Sequence, residues 1–227
     1  MRRIPSNKKR NLARKKYAKP EVITATGHKA RTYSSAIRYG LRRGRKNLEF
    51  YSRENVDPDR LAMQWELLES GIPVEEPFER KPKGPNRLMG YFSMGDATVE
   101  DVLERLSPKE KRSVAKQMIS LISRIHNKGM IFKHPHLQNI AIQKGRVRIG
   151  LFDFKLISRV NVDWHNPKSI FDSFRVEYGT LRNNMIKLGL SLAEQESLFE
   201  ALISRYARLP NTEKSNLYQL VRTRVLL

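Results

Sequence analysis

The sequence contains no cysteine, so disulfides and thiolate metal sites are excluded, and a reducing compartment is compatible with the composition. It has no run of about 18 apolar residues, which predicts that no segment spans a membrane. The N-terminus lacks the apolar core of a secretory signal, and we therefore expect a cytoplasmic protein. Apolar residues still make up 39% of the 227 residues, enough to build the core of one compact or two-lobed domain.

Acidic residues are scarce near the start of the chain. Residues 1–50 contain sixteen lysines and arginines but only Glu21 and Glu49, which gives a net charge of +14 out of a total of +21. Such a concentration of charge attracts polyanions, such as nucleic acid, anionic lipid or a phosphorylated glycolipid, and would hold the protein on nucleic acid or at a membrane surface. The alternative is a solvated basic arm that only aids solubility. The candidate polyanion-binding residues are Lys8, Lys9, Arg10, Arg14, Lys15, Lys16, Arg42, Arg43, Arg45 and Lys46.

Helix starts are clearly marked after residue 56. Each combines a capping side chain with a proline at the first helical position or a glutamate at the third. In the first of these helices, Leu61, Trp65 and Leu68 follow one another at helical spacing, which predicts that Trp65 lies in the core. The predicted starts are Asp57-Pro58, Ser107-Pro-Lys-Glu110 and Ser191-Leu-Ala-Glu194.

Strand signals are concentrated before residue 93. Segments 21–26, 32–39 and 87–93 read as strands, and a later hairpin joins Ile140-Ala-Ile142 to residues 147–152. The order of elements predicts an α+β fold in which a strand-rich region precedes a helical one. We therefore divide the chain into a flexible basic arm at 1–20, a strand-and-helix region at 21–92 and a helical region at 93–227.

Two oxygen-bearing side chains flank this predicted hairpin. Asn139 comes directly before its first strand and Asp153 directly after its second. Such oxygen ligands suit the magnesium ion of a nucleotide triphosphate. Alternatively, Asp153 only caps the turn after its strand. His126, at a helix end, is interpreted as structural.

The combination of these motifs resembles the protein-kinase-like fold, in the small lineages of the Rio and Bud32 type and of the lipopolysaccharide-kinase type. The likeness is strongest over residues 107–158, where a helix, His-x-x-Gly, Asn and Asp-Phe occur in register. Gly71-Ile-Pro-Val74 resembles the segment after the regulatory helix of those proteins, and Leu88-Met-Gly-Tyr-Phe92 resembles their hinge strand. The resemblance implies a two-lobed fold that binds ATP and magnesium, with Asn139 and Asp153 as metal ligands.

Three residues depart from the pattern of that family, and the first is Phe132, where the family usually has His or Tyr. His134 occupies the position of the catalytic aspartate, five residues before the metal-binding asparagine, and Lys155 replaces the glycine of Asp-Phe-Gly. A neutral histidine can accept a proton, which makes His134 the candidate catalytic residue, but it lacks the negative charge of a carboxylate beside magnesium. Lys155 adds positive charge at the same place. Both changes favour weak or absent phosphoryl transfer.

The nucleotide contacts implied by the resemblance are incomplete. There is no glycine-rich loop, and Arg38 is the best candidate for the strand lysine that holds the phosphates. Its helix partner would be an acid near Asp59 or Glu66. Tyr91, in the hinge-like segment, and Lys133 are further candidate contacts, although Lys133 is equally well explained as a solvated loop lysine.

Three hypotheses about function follow. The first is a pseudokinase-like binding or regulatory module that retains ATP and magnesium. The second is an active, atypical phosphotransferase that acts on an acidic substrate such as lipopolysaccharide. The third is a basic protein associated with RNA or DNA that uses the fold as a scaffold. Since one fold serves many functions, the fold by itself does not choose among them.

Overall fold

A computed structural model describes residues 36–43, 46–54, 58–74, 76–80, 88–92, 97–142, 147–151 and 156–227. Side chains are described for residues 62–74, 97–142, 147–151 and 156–227. The basic arm predicted at residues 1–20 and the strand predicted at residues 21–26 lie outside the described residues.

The N-terminal region is an antiparallel sheet with one helix. Its four described strands have the order β1-β2-β4-β3, and the helix α1 lies between β2 and β3 in sequence. Strand β4 is central because it pairs with both β2 and β3, and Leu88 stands opposite Glu54 on one side and Arg80 on the other. The elements are β1 (Ala36–Arg43), β2 (Lys46–Glu54), α1 (Pro58–Glu69), β3 (Glu76–Arg80) and β4 (Leu88–Phe92).

The C-terminal region is mainly helical. Helix α3 packs on α5, and α4 packs on α6. Two short antiparallel pairings, β5-β7-β8 and β6-β9, lie around the turn that follows α3. The elements are β5 (Ala97–Thr98), α2 (Val99–Val102), α3 (Pro108–Asn127), β6 (Met130–Phe132), β7 (Ile140–Ile142), β8 (Ile149–Leu151), β9 (Ile157–Arg159), α4 (Pro167–Lys187), α5 (Leu192–Ser204) and α6 (Asn211–Val221).

Side-chain caps fix the start of each long C-terminal helix. The hydroxyl groups of Ser107 and Ser191 each accept a hydrogen bond from the backbone N–H three residues later, and the glutamate at that position accepts from the serine backbone. Both predicted capping boxes are confirmed. The start of α4 was not predicted, although Asn166 caps it through the N–H groups of Lys168 and Ser169, with Pro167 as the first helical residue.

The core runs through the helical region, and one prediction about it was wrong. Trp65 is 43% exposed, whereas Met63 and Leu67 of the same helix are 7% and 0% exposed. The buried face of α1 is therefore rotated away from the face that the spacing of Leu61, Trp65 and Leu68 indicated. The spacing fitted two neighbouring faces of a short helix, and the face that joins the buried core is the one that contains Met63 and Leu67.

The segment after α1 connects the two regions of the molecule. Gly71 has a φ of 70°, a backbone conformation that favours glycine, and it turns the chain at the helix end. The Pro73 carbonyl then accepts a 2.7 Å hydrogen bond from the Leu151 N–H, and Val74 forms a parallel bridge with Leu151. These contacts attach the end of strand β8 to the N-terminal region. In the sequence, Leu151 precedes Asp153 by only two positions.

None of the helices in the described ranges is long and apolar enough to cross a membrane.

Candidate functional site

The segment between β6 and β7 is the candidate catalytic loop, residues 133–139. Its start is fixed by a 3.0 Å hydrogen bond from the Lys133 N–H to the Leu156 carbonyl, next to the β6–β9 pairing. Its end is a short 3₁₀ turn, in which the Asn139 N–H donates to the His136 carbonyl at 2.8 Å. The loop therefore has a defined backbone despite its mostly exposed side chains.

The orientation of the Asn139 side chain follows from its hydrogen bond. The side chain is 7% exposed, and its Nδ2 donates to the His134 carbonyl at 2.8 Å. Because a carbonyl oxygen only accepts hydrogen bonds, the amide nitrogen must face it. The amide oxygen accepts no hydrogen bond from the described residues, and an amide oxygen is a suitable ligand for magnesium.

A second asparagine, which the sequence did not single out, supports the same loop. Asn184 of α4 is 2% exposed, and its Nδ2 donates to the carbonyl of Pro135. Two amide groups thus hold consecutive loop carbonyls, those of His134 and Pro135. Asn184 was missed because α4 itself was not predicted, so nothing placed residue 184 near residue 135.

The two loop histidines lie side by side with their imidazoles free of protein hydrogen bonds among the described residues. Both residues are exposed, and the ring centroids of His134 and His136 are 5.8 Å apart with planes inclined by 8°. Partial burial holds the pKa of His136 below its usual range, the positive charges of His134 and Lys187 lower it further, and Glu100 opposes them. Glu100 is itself paired with Lys187 at 3.0 Å. A neutral His136 imidazole is therefore favoured at neutral pH.

The other site residues predicted from the sequence are only partly covered by the described structure. Asp153 and Lys155 lie outside the described residues, as do Lys8, Lys9, Arg10, Arg14, Lys15, Lys16 and Arg45. Backbone positions are described for Arg38 in β1, for Tyr91 in β4, and for Arg42, Arg43 and Lys46 at the ends of the paired strands β1 and β2.

Glu66, one of the two acids considered as a partner for Arg38, pairs with a residue of the C-terminal region. Its carboxylate lies 2.7 Å from Nη2 of Arg159, which ends β9. The pair is partly exposed and adds little to stability on its own. It does, however, join α1 to the strand that follows the Asp153 segment.

His126 belongs to a buried polar network and has the structural role expected for it. Its Nε2 lies 2.6 Å from the Glu177 carboxylate and its Nδ1 lies 2.7 Å from the hydroxyl of Tyr206. The Tyr206 hydroxyl also hydrogen-bonds the hydroxyl of Tyr178 at 2.9 Å, and the imidazole stacks on Phe174 at 3.8 Å. The network lies inside the helical core and ties α3 to α4 and to the end of α5.

Among the described residues, no group of three His, Asp or Glu side chains could hold a metal ion. A metal in the loop would therefore need a ligand from outside the described ranges, and Asp153 is the one that the sequence predicts.

Comparison with known proteins supports the fold. No protein-family model matches the chain, and no curated protein matches its sequence. The structure of the Cydia pomonella granulovirus kinase PK-1 superposes with a TM-score of 0.52 and 10% sequence identity, covering 97% of this chain and 93% of the viral one. The chain thus has an α+β, two-lobed, protein-kinase-like fold, and the prediction made from residues 107–158 is confirmed. At this identity the likeness extends to the fold alone.

Proposed function

We propose that the protein is a pseudokinase-like binding or regulatory module that retains Mg-ATP. The observation that carries the proposal is the hydrogen bond from Asn139 Nδ2 to the His134 carbonyl, because no described residue donates to the amide oxygen and a ligand could use it. Asn139 and Asp153 would hold the metal, and Arg38, Tyr91 and Lys133 would contact the nucleotide. The nucleotide and its magnesium would supply a triphosphate whose charge is neutralised by the metal.

The choice of a regulatory role over a catalytic one rests on charge. A carboxylate at position 134 would orient the attacking hydroxyl and accept its proton, and would add negative charge beside the metal. A neutral imidazole can accept a proton but does not supply that charge. Lys155 would bring a positive charge to the same region and compete with the cation. Nucleotide binding tolerates both changes better than phosphoryl transfer does.

A thermal-shift titration with ATP, with and without Mg²⁺, tests nucleotide binding. A ligand that binds only the folded state at about 100 times its Kd stabilises that state by about 2.7 kcal/mol. The wild-type protein should melt at a higher temperature with Mg-ATP, and Asp153→Ala should abolish the Mg²⁺-dependent part of the shift. Glu104→Ala, which removes an exposed carboxylate from a short helical turn far from residue 153 in sequence, is the control and should keep the full shift. An unchanged shift in Asp153→Ala would refute the metal assignment.

The exposed, paired imidazoles of His134 and His136 support a second candidate, an active phosphotransferase with histidine as the base. Its substrate would be acidic, with lipopolysaccharide or another phosphorylated molecule favoured by the basic charge of the chain. The two proposals predict different phosphate-transfer activities for the wild type and for variants of His134. If the protein is pseudokinase-like, the wild type transfers no phosphate and His134→Asp creates or raises activity. Robust wild-type turnover that disappears in His134→Ala would instead identify His134 as the base.

A further inference from the structure

A basic groove lies along the outer face of α4, on the stretch of the helix that precedes Asn184. We call it the α4 groove; it is bounded by α6 and the final turn of the chain and has a volume of about 800 Å³. A space of that size is far larger than a single bound ion requires. Its principal side chains are Lys168, Phe171, Arg175, Val176, Arg182 and Arg224.

The basic side chains of the groove are regularly spaced. Lys168, Arg175 and Arg182 follow one another at intervals of seven residues, so they share one face of α4 at about 10.5 Å separations. Arg224 lines the groove from its other wall, and Asp172 is the single carboxylate among the described lining residues. The result is a row of positive charge about 21 Å long.

The floor of the groove is apolar. Val176 is 63% exposed, an unusual degree for a valine of a packed helix, and Leu220 and Val225 line the opposite wall. Phe171 is partly buried and packs on the core beneath. An occupant that matches the groove therefore needs an apolar stripe as well as regularly spaced negative charge.

Arg182 has a hydrogen-bonding group that the described part of the chain leaves unused. Its Nη2 donates to the Leu226 carbonyl at 3.3 Å, but its buried Nε–H has no acceptor among the described residues. Buried donors without an acceptor are uncommon. If the Arg182 side chain rotates, a carboxylate in the groove could accept hydrogen bonds from its guanidinium. Arginine and carboxylates favour such paired, side-on hydrogen bonds.

We propose that the α4 groove binds an acidic amphipathic helix of a partner protein. Carboxylates seven residues apart on such a helix have the same spacing as Lys168, Arg175 and Arg182. Apolar residues between them would cover Val176 and Phe171. Nucleic acid would leave the apolar floor unused, and a flat lipid surface would not enter a concave groove. The inference does not depend on nucleotide binding.

The test uses a fluorescent 18-residue peptide, held helical by side-chain lactam bridges, with glutamate at every seventh position and leucine between the glutamates. Binding to the full-length protein is measured by fluorescence anisotropy at 0.15 M salt, where distant charge is largely screened. Arg175→Glu, on an exposed position, should weaken binding at least tenfold. Lys116→Glu, an equal charge change at an exposed position of α3 outside the groove, should leave it within twofold.

A peptide with a reversed charge, an RNA and lipid vesicles serve as specificity controls. A peptide with lysine at the glutamate nearest position 175 should bind Arg175→Glu better than the original peptide does. Val176→Asn should also weaken binding, since it removes the apolar contact without changing the charge of the groove. A 20-nucleotide single-stranded RNA and vesicles of phosphatidylcholine and phosphatidylserine should bind wild type and Arg175→Glu equally.

Three results would overturn the proposal. They are failure of the wild-type protein to bind the peptide at 100 micromolar, equal binding by Arg175→Glu and Lys116→Glu, and parallel loss of RNA or vesicle binding in Arg175→Glu. Circular dichroism melting establishes that each variant is folded, and Arg175→Gln replaces Arg175→Glu if the latter does not fold.

Discussion

Removal of one buried hydroxyl group offers a quantitative test of the helical core. Tyr206→Phe deletes only an oxygen atom and keeps the ring, which packs edge-on against Trp164 at a centroid distance of 5.7 Å. That oxygen joins His126 Nδ1 to the Tyr178 hydroxyl, and all three residues have exposures of 0%. The substitution therefore leaves two buried polar groups each short of a partner.

The expected loss follows from the cost of an unsatisfied buried group. Each such group costs about 1 to 3 kcal/mol, so Tyr206→Phe should lower the free energy of unfolding by about 2 to 6 kcal/mol. Urea denaturation measures the change, and the m-value should stay constant. Tyr218→Phe is the matched control, because Tyr218 is only partly buried and its hydroxyl makes no hydrogen bond with the described residues; we expect a change below about 0.5 kcal/mol.

A double variant separates this explanation from simple loss of packing. In Tyr206→Phe the hydroxyl of Tyr178 is left without a partner, and adding Tyr178→Phe removes it. The double variant should therefore be more stable than Tyr206→Phe alone, by about 1 to 3 kcal/mol. Strictly additive losses, or a loss below about 1 kcal/mol in Tyr206→Phe, would refute the reasoning.

Two further predictions concern charge. Hydrogen bonds from Arg112 and from the Ser191 backbone hold the pKa of Glu194 below its usual value of 4.5, so its contribution to stability is present above that value and is lost as the pH falls through the lower folded-state pKa. At pH 7 the Glu194→Gln variant should therefore melt at a lower temperature than the wild type. Between about pH 5 and about pH 3 its melting temperature should fall less than that of the wild type. An identical pH profile of the two proteins would contradict this. Deletion of residues 2–19 removes nine positive charges and no acid, so binding to RNA, DNA or anionic vesicles should weaken and the dependence of log affinity on log salt should become shallower. Unchanged affinity and slope would leave Arg42, Arg43, Arg45 and Lys46 as the next candidates.

Local sequence signals predicted an element of the fold where several of them agreed. The helix at Ser107 was marked by a cap, a proline and a glutamate, and its apolar stripe had one register only. Helix α4 has an equally good start at Asn166-Pro167, but its interior mixes buried and exposed polar residues and its periodicity is weak. The buried Glu177 of α4 is an example, because its burial depends on His126, fifty-one positions earlier in the sequence. Contacts at that separation leave no local pattern.

The candidate site also has features that the sequence indicates and features that only the structure reveals. The family-like spacing of Asn139 and His134 was visible in the sequence. The structure adds the hydrogen bond from Asn139 to the His134 carbonyl, which fixes the orientation of the Asn139 side chain. The support from Asn184 and the charges of Glu100 and Lys187 around His136 depend on how α2 and α4 pack, which no motif encodes. The residues proposed to contact a ligand therefore came from the sequence, whereas those that position the loop came only from the structure.

Helix α4 is the element that relates the two proposed sites. Arg182 faces the α4 groove, while Asn184, two residues later, holds the loop that contains His134. Proximity on one helix does not by itself couple two sites, because coupling requires two states of the helix for which a ligand has different affinities. The residues of α4 that face the core are closely packed around Phe174 and Tyr178, which opposes a second arrangement. We therefore expect an occupant of the groove and a nucleotide in the loop region to bind independently.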